Sequence, residues 1–321
     1  MMNKFITYIY TSLFKIFPVK LNIVFSKFFK KLHDMHISAS YSKNFKANLI
    51  IEGNTFKLLL MKNDKQAQGV YQKLHNKNES YETIMVRTLL KTIEFLDLKN
   101  FLDIGSFMGF YACLVASKFK KNMNIYAIES NPDYSNYIEK SVKLNNFNNI
   151  KTINKILSDK KENLFIKNET VVSNVKPGEN LINLEAITLD ELCRNENINP
   201  EIIKIDVHGA EGKVITGSKK ILKNTKIILL ELHTTDFLIN FSNGLNKKEI
   251  ISNLIDSNFD CYLVSSFRNY DFFKQKCDFK KIDLQNFEFI FFDRDQSDQF
   301  IFCKKKDIDL KLTDLFNESF N

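Results

Sequence analysis

The stretch Asn-Phe-Leu-Asp-Ile-Gly-Ser-Phe-Met-Gly-Phe, Asn100 to Phe110, decides the fold. Phe101, Leu102 and Ile104 form a short apolar run suited to a strand buried on both faces of a parallel sheet. Gly105 and Gly109 follow, and Tyr111 to Ser117 continues as the first turns of a helix. Strand, glycine turn and helix bring backbone N–H groups and a close main-chain approach beneath a nucleotide-like ligand. The spacing Asp-x-Gly-x-x-x-Gly is neither Gly-x-Gly-x-x-Gly nor the Gly-Lys-Ser/Thr ending of a phosphate loop. With no lysine and no cluster of three glycines, the turn suits pyrophosphate poorly. It suits a ligand that carries an adenosine and no phosphate, of which S-adenosylmethionine is the common one.

Reading outward from this stretch, strands and helices alternate. Asn124 to Ile128 is a second strand closed by Glu129, an acidic side chain placed to accept both hydroxyls of a ribose. Asn131-Pro132 opens a helix running to about Leu144, with Asn as the cap and Pro in the first turn. Ile150 to Leu157 is a third strand ending at Ser158-Asp159. Leu164 to Ile187 reads as irregular, and Thr188-Leu-Asp-Glu191 as a capping box. Ile202 to Val207 is a fourth strand with Asp206 near its end, and Gly209-Ala210-Glu211 leads into a helix ending near Leu222. Lys226 to Leu232 is a fifth strand that contains Glu231 and is followed by His233. Lys247 to Asn258 is an amphipathic helix, and Cys261–Val264, Phe287–Phe292 and Gln299–Phe302 complete the sheet. Upstream, Asn48–Ile51 and Phe56–Met61 flank Glu52-Gly53-Asn54 as a β-hairpin, and Tyr81 to Leu96 is helical. The expectation is a doubly wound, mostly parallel α/β sheet, with ligands beyond the carboxyl ends of its strands. Gly105, Glu129, Ser158, Asp206 and Glu231 all fall at such ends.

A hydrophobic content of 44% is enough for a full core. The net charge of +8 fits either an acidic partner or a solvated lysine-rich surface, and the scatter of the lysines beyond the N-terminal segment favours the surface. The five cysteines are odd in number, widely spaced and free of any Cys-x-x-Cys pair. They read as reduced core thiols of a cytosolic protein, neither a disulfide frame nor a zinc site. In residues 1–36, Phe5, Ile6, Ile9, Leu13, Phe14 and Phe17 recur at helical spacing among lysines, and Pro18 interrupts them. The segment lacks the uncharged run of about 18 residues that a membrane span needs. Two readings of it stand: peripheral contact with an anionic membrane, at the inner surface, or a helix pair packed on the main domain.

Four stretches in order carry a resemblance: Phe101 to Tyr111, Ala127-Ile-Glu-Ser-Asn-Pro132, Lys204-Ile-Asp-Val-His-Gly-Ala-Glu211, and Leu230-Glu-Leu-His233. Together they resemble the FkbM family of S-adenosylmethionine-dependent methyltransferases over roughly residues 81–233. Tyr81-Glu82 also resembles a pair that the family carries before its first core strand. The resemblance implies a seven-stranded class I methyltransferase sheet, S-adenosyl-L-methionine as cofactor, and O-methylation, often of a sugar hydroxyl in a glycan, glycolipid or natural product. One position departs: His208 stands where the family usually has Glu, which puts the acceptor and the base in question. The domain organisation expected is a basic amphipathic segment (1–45), a hairpin extension (46–80), the methyltransferase domain (81–305) and a polar C-terminal tail (306–321).

On this reading Gly105 and Gly109 allow the backbone approach and Glu129 holds the ribose. Ser158 or Asp159 lies beside the adenine, Asp103 orients the loop and the methionine end, and Glu82 is a further candidate nearby. His208 is the first candidate base, because an imidazole titrates near neutrality, and Asp206 the second. Asp206, His208, Glu231 and His233 also offer a donor set for a divalent metal. The acceptor is a small molecule or glycan, with Asn168–Leu184 and Thr234–Leu245 expected on its side of the site. Two other readings stand beside the glycan enzyme. An RNA methyltransferase fits the charge but lacks an Asn/Asp-Pro-Pro-Tyr stretch and an evident RNA-binding appendage, so nucleic acid is not the expected partner. A non-catalytic, membrane-docked module that binds the methyl donor would fit the replacement at His208.

Overall fold

The computed structural model describes residues 45–61, 64, 66–70, 82–167, 170–172, 182–264, 279–287 and 298–315. The expectations for the amphipathic segment up to residue 44, for Tyr81, for Cys277 and for a strand over 288–292 lie outside the described residues.

Strand β3 (Asn100–Ile104) lies inside an eight-stranded sheet. It pairs in parallel with β4 (Asn124–Glu129) on one side and with β10 (Ile202–Ile205) on the other. β5 (Ile150–Asn154) continues the parallel set beyond β4, and β11 (Ile227–Leu232) beyond β10. β14 (Gln299–Lys305) inserts antiparallel between β11 and β12 (Phe259–Val264). β13 (Phe279–Lys281) adds an eighth strand at that edge, one more than expected. With β13 set aside and the other seven counted in chain order, the sheet reads 3-2-1-4-5-7-6. Strand order therefore reverses between β3 and β10, which is where an open α/β sheet holds its ligand.

Alternation along each strand explains the two cores. Phe101, Ile125, Ala127, Ile202 and Leu229 face one side. There they meet helices α1 (Thr83–Phe95), α2 (Phe110–Phe119) and α3 (Pro132–Asn145). Leu102, Ile104, Ile203, Ile205 and Leu230 face the other. They meet α4 (Leu189–Glu196), α5 (Glu211–Thr216), α6 (Ile221–Asn224), α7 (Thr235–Phe241) and α8 (Lys247–Asp256). The hairpin of β1 (Phe45–Ile51) and β2 (Asn54–Leu60) turns through Glu52 and Gly53, both at positive φ as a tight two-residue turn requires. It docks on α3, where Asn145 and Ser141 accept from the N–H groups of Lys57 and Leu59.

Four local expectations are corrected. The third strand stops at Asn154, and Ile156–Leu157 forms β6 in a separate four-stranded sheet. The stretch read as irregular supplies the rest of that sheet: β7 (Glu162–Lys167), β8 (Thr170–Val172) and β9 (Ile182–Ile187). β7 and β9 pair across a long sequence gap, so no local hairpin signal betrays that pairing. The helix expected from Glu211 to Leu222 is two helices, broken at Gly217, where a Cβ would lie 2.3 Å from the Ser158 carbonyl oxygen. In the segment expected as a polar tail, Leu310 and Leu315 are buried in the core. The four described cysteines, Cys113, Cys193, Cys261 and Cys303, are free and buried, as a reduced core requires. No helix among the described residues is long and apolar enough to cross a membrane.

Candidate active site

Parallel register aligns the strand ends. Ile104 lies across from both Ile128 and Ile205, and Ile205 across from Leu230. The next residues, Gly105, Glu129, Asp206 and Glu231, therefore come level along one crest, with Asp103 one step below. Asp103, Glu129 and Asp206 thus lie close together at the switch point, where Asp103 interacts electrostatically with both of the others.

The β3–β4 end of the cleft is fixed by backbone. Glu129 is buried, and one carboxylate oxygen accepts from Phe107 N–H and the other from Asn131 N–H, each at 2.8 Å. Burial pushes its carboxyl up to about 7, against the pull of these hydrogen bonds. Gly105 N–H and Ser106 N–H both donate to the Ile128 carbonyl, and Gly109 N–H donates to that of Ser106. The donors of the turn are thus committed within the protein, which leaves little for a phosphate and fits an adenosine whose ribose is held by a carboxylate. Gly105 is at φ +76, and a Cβ there would lie 1.7 Å from the Asp206 carbonyl oxygen, so only glycine fits. Gly109 caps α2 at φ +83 against Ile138. The Asn154 amide donates to the carbonyls of Glu129 and Ser130. Ser158 is fully buried, and its hydroxyl is spent on Glu162 (2.6 Å) and Asp159 (3.1 Å). The described contacts of Ser158 and Asp159 run to Ile187, Glu162 and the Gly217 turn, away from Glu129 and Gly105.

Beneath the crest lies a buried charge cluster. Lys204 sits across from Asp103 in register, with its Nζ 3.7 Å from Asp103 Oδ1 and 3.2 Å from Asp206 Oδ2. The two carboxyls respond differently. Burial raises Asp103, whose oxygens are fully enclosed without a hydrogen-bond partner, by more than Lys204 lowers it. Burial also opposes ionisation of Asp206, but Lys204, then His208 and His233, hold it down at about 2. Lys204 also lies 4.8 Å from the centre of the Tyr111 ring, and the Tyr111 hydroxyl donates to Glu82 at 2.5 Å. Glu82, left-handed at φ 46 just before α1, thereby joins the cluster through Tyr111. Burial works against the charge on Lys204, but Asp206, Asp103, Glu82 and Glu231 raise it well above the ordinary lysine value.

The β10–β11 end is fixed by charged side chains. Glu211, fully buried at the start of α5, accepts from Val207 N–H (3.2 Å), Gly209 N–H (3.1 Å) and His233 Nδ1 (2.9 Å) on one oxygen. Burial pulls the His233 imidazole down, but Glu211, Asp206 and Glu231 together lift it to about 9. His233 Nε2 points toward Asp206 Oδ1 at 4.0 Å. His208, exposed at φ 51, covers His233 with ring centres 4.9 Å apart. Phe237 of α7 stands beside them, 46% exposed, its ring 6.2 Å from His233. The four residues expected as one metal set divide into two trios that share His233: Asp206 with His208, and Glu231 with Asp298.

Lys204, Tyr111 and Glu211 carry much of this wiring, and sequence reasoning gave them no role. Lys204 had a signal: one charge in a strand of isoleucines, Ile202, Ile203 and Ile205, must find a buried partner. The Glu211–His233 bond joins two elements and had none.

Residues 103–247 match the methyltransferase FkbM domain family, the family that the sequence motifs resemble. A curated relative, hexuronic acid methyltransferase AglP of Haloferax volcanii, is 24% identical over 196 residues, covering 60% of this chain and 75% of the relative. The solved FkbM methyltransferase of Methylobacillus flagellatus KT aligns with a TM-score of 0.42 at 11% identity, over 75% of this chain and 55% of that one. An O-methyltransferase of Bacillus cereus in complex with SAH aligns at 0.40 and 11% identity, over 75% of this chain and 88% of that one.

Proposed function

We propose that this chain methylates a hydroxyl oxygen of a sugar, in a glycan, glycolipid or natural product. The observation that carries the reading is the join between the two ends of the cleft. A carboxylate-and-glycine end suited to adenosine opens onto a mouth lined by Asp206, His208, His233 and the exposed Phe237 ring. An exposed aromatic face beside polar groups matches a pyranose, which has an apolar face and a polar rim. The hexuronic acid specificity in the relative's name supports a sugar as well.

S-adenosylmethionine supplies an electrophilic methyl group on a sulfonium. Glu129 holds the ribose hydroxyls, Gly105 and Gly109 permit the backbone approach, and Asp103 with Lys204 fixes the floor. The acceptor oxygen must be placed about 3–3.5 Å from the methyl carbon, which is the work of the mouth residues. Asp206, held ionised by Lys204, is a weak base and a strong hydrogen-bond acceptor, suited to orienting a hydroxyl. His208, exposed at the mouth, takes the proton, a contribution of about 10²–10⁴ in rate. The RNA reading has only the net charge behind it.

The test is mass spectrometry of products from a glycan panel, uronate-containing acceptors included, incubated with methyl-labelled donor. A base-stable methyl ether on a sugar is the expected product. A saponifiable ester, or label in RNA alone, would replace this reading with another acceptor.

A further inference from the structure

We propose that Asp206, His208 and His233 form a binding site for a first-row divalent transition-metal ion at the mouth of the cleft, with Glu211 orienting His233. One donor atom from each of the three residues lies within 4.8 Å of the others. Ligands to one such ion, each about 2.0–2.2 Å from it, lie somewhat closer together than that. The remaining closure falls on His208, the exposed member of the three.

Each of the two inner residues has one atom engaged elsewhere and the other aimed at a common point. Asp206 gives Oδ2 to Lys204 at 3.2 Å and turns Oδ1 toward His233. His233 gives Nδ1 to Glu211 at 2.9 Å and turns Nε2 toward Asp206. A carboxylate that fixes the far nitrogen of an imidazole is the usual support of a metal-bound histidine. Here that carboxylate is itself held by the N–H groups of Val207 and Gly209. Ser242 hydroxyl, bonded to the Gly209 carbonyl and the Gly212 N–H, ties the same loop to α7. The two inner donors are held in place before any ion arrives.

Two imidazoles and one carboxylate favour manganese, iron, cobalt, nickel or zinc over magnesium and calcium, which prefer all-oxygen sets. The competing trio of Glu231, His233 and Asp298 shares the same imidazole but lies deeper, with Glu231 buried. The trio that includes His208 opens to the mouth, and three ligands on one side leave positions for two oxygens of an incoming molecule. On the proposed methyltransferase reading, which this role presupposes, those oxygens are vicinal sugar hydroxyls. The ion would ease loss of the proton from one of them, and with the ion bound His208 serves as a ligand while the proton leaves to solvent instead of to its ring. Ion binding itself does not depend on that reading.

The experiment is a Co²⁺ titration of the full, tag-free chain, followed by visible d–d absorption, with S-adenosylmethionine calorimetry on the same preparation. One saturable Co²⁺ per chain is expected. His208→Gln and His233→Asn should each weaken it at least about tenfold, and Glu211→Gln by about 10–100-fold. His208 is exposed, so its variant keeps the test meaningful even if His233→Asn fails to fold. Absence of a saturable band, or an unchanged band in His208→Gln, overturns the metal site. If the methyl donor still binds in that case, the methyltransferase reading stands without it. Cobalt binding without donor binding would fell that reading and spare the metal site.

Discussion

The β3–β4 end of the crest and the β10–β11 end meet at one cleft but are held in different ways. At the first, Glu129 is clamped by two backbone N–H groups and the turn N–H groups close on carbonyls a few residues or one strand away. At the second, Lys204, Asp206, Glu211 and His233 hold one another through charge, from three separate elements. A backbone clamp keeps its shape whatever the neighbouring side chains are. A charge network keeps its shape only while every member is present, since any one removed leaves a buried charge uncompensated. On the proposed reading, the donor end is thus set by chain path, and the acceptor end by side-chain identity. Substitutions that change the acceptor are therefore tolerated best at the exposed His208, which belongs to the network's edge.

The sharpest way to break this contrast is at the point where the two ends touch. Gly105→Ala puts a methyl group into the Asp206 carbonyl oxygen at a positive φ. It should force β3 and β10 apart above their last paired residues. The expected loss is about 4–5 kcal/mol in urea unfolding, the exceptional range for a point change. Gly109→Ala meets only Ile138 side-chain carbons at 3.2–3.6 Å and should cost about 1–2 kcal/mol, mostly from its φ. Equal losses at the two glycines would mean that the ends of the crest are not interlocked through Gly105.

The charge network is tested next. Lys204→Met removes the cation between Asp103 and Asp206 while keeping the volume of the stem. Leaving a buried carboxylate unpaired costs about 3–5 kcal/mol, and adding Asp103→Asn should recover part of it. Chemical denaturation of the two single variants and the double variant gives the coupling. If the two losses simply add, Lys204 and Asp103 are not partners.

The same contrast explains what was legible. Residues 100–132 could be read because strand, glycine turn, acid and Asn-Pro cap each signal locally; Asn131 accepts from Asp133 N–H as the cap requires. The alternation of strands and helices, and the placing of Gly105, Glu129, Asp206 and Glu231 at strand ends, followed from counting those units. The network could not be read. Glu211 and His233 lie on different elements, and Glu82 joins Lys204 from before the first core strand, by charge and through Tyr111. The small sheet of β6 to β9 was missed for a related reason: β7 and β9 pair across a long stretch of sequence, and residue pattern alone does not say which distant strand is the partner. Side-chain periodicity records which face a residue occupies, and it is silent about which distant residue shares that face.

Glu129 gives the finest test, because one titration should drive two opposite trends. Its ordinary value is 4.5, and burial lifts it to about 7 in the folded protein. Between those values the folded chain keeps a proton that the unfolded chain has released. Its contribution to stability is therefore complete below about pH 4.5 and is lost as pH rises through about 7, up to about 3 kcal/mol in total. Ligand binding should run the other way, since only the ionised carboxylate accepts from both ribose hydroxyls. Affinity for S-adenosylmethionine should rise about tenfold between pH 6 and 8 and level off above, following the ionised fraction. Glu129→Gln should flatten both profiles, measured by urea unfolding and by calorimetry across the same buffers. A binding profile that stays flat in the wild-type chain, beside a sloping stability profile, would leave Glu129 a buried structural acid and move the ribose contact to another residue of the cleft.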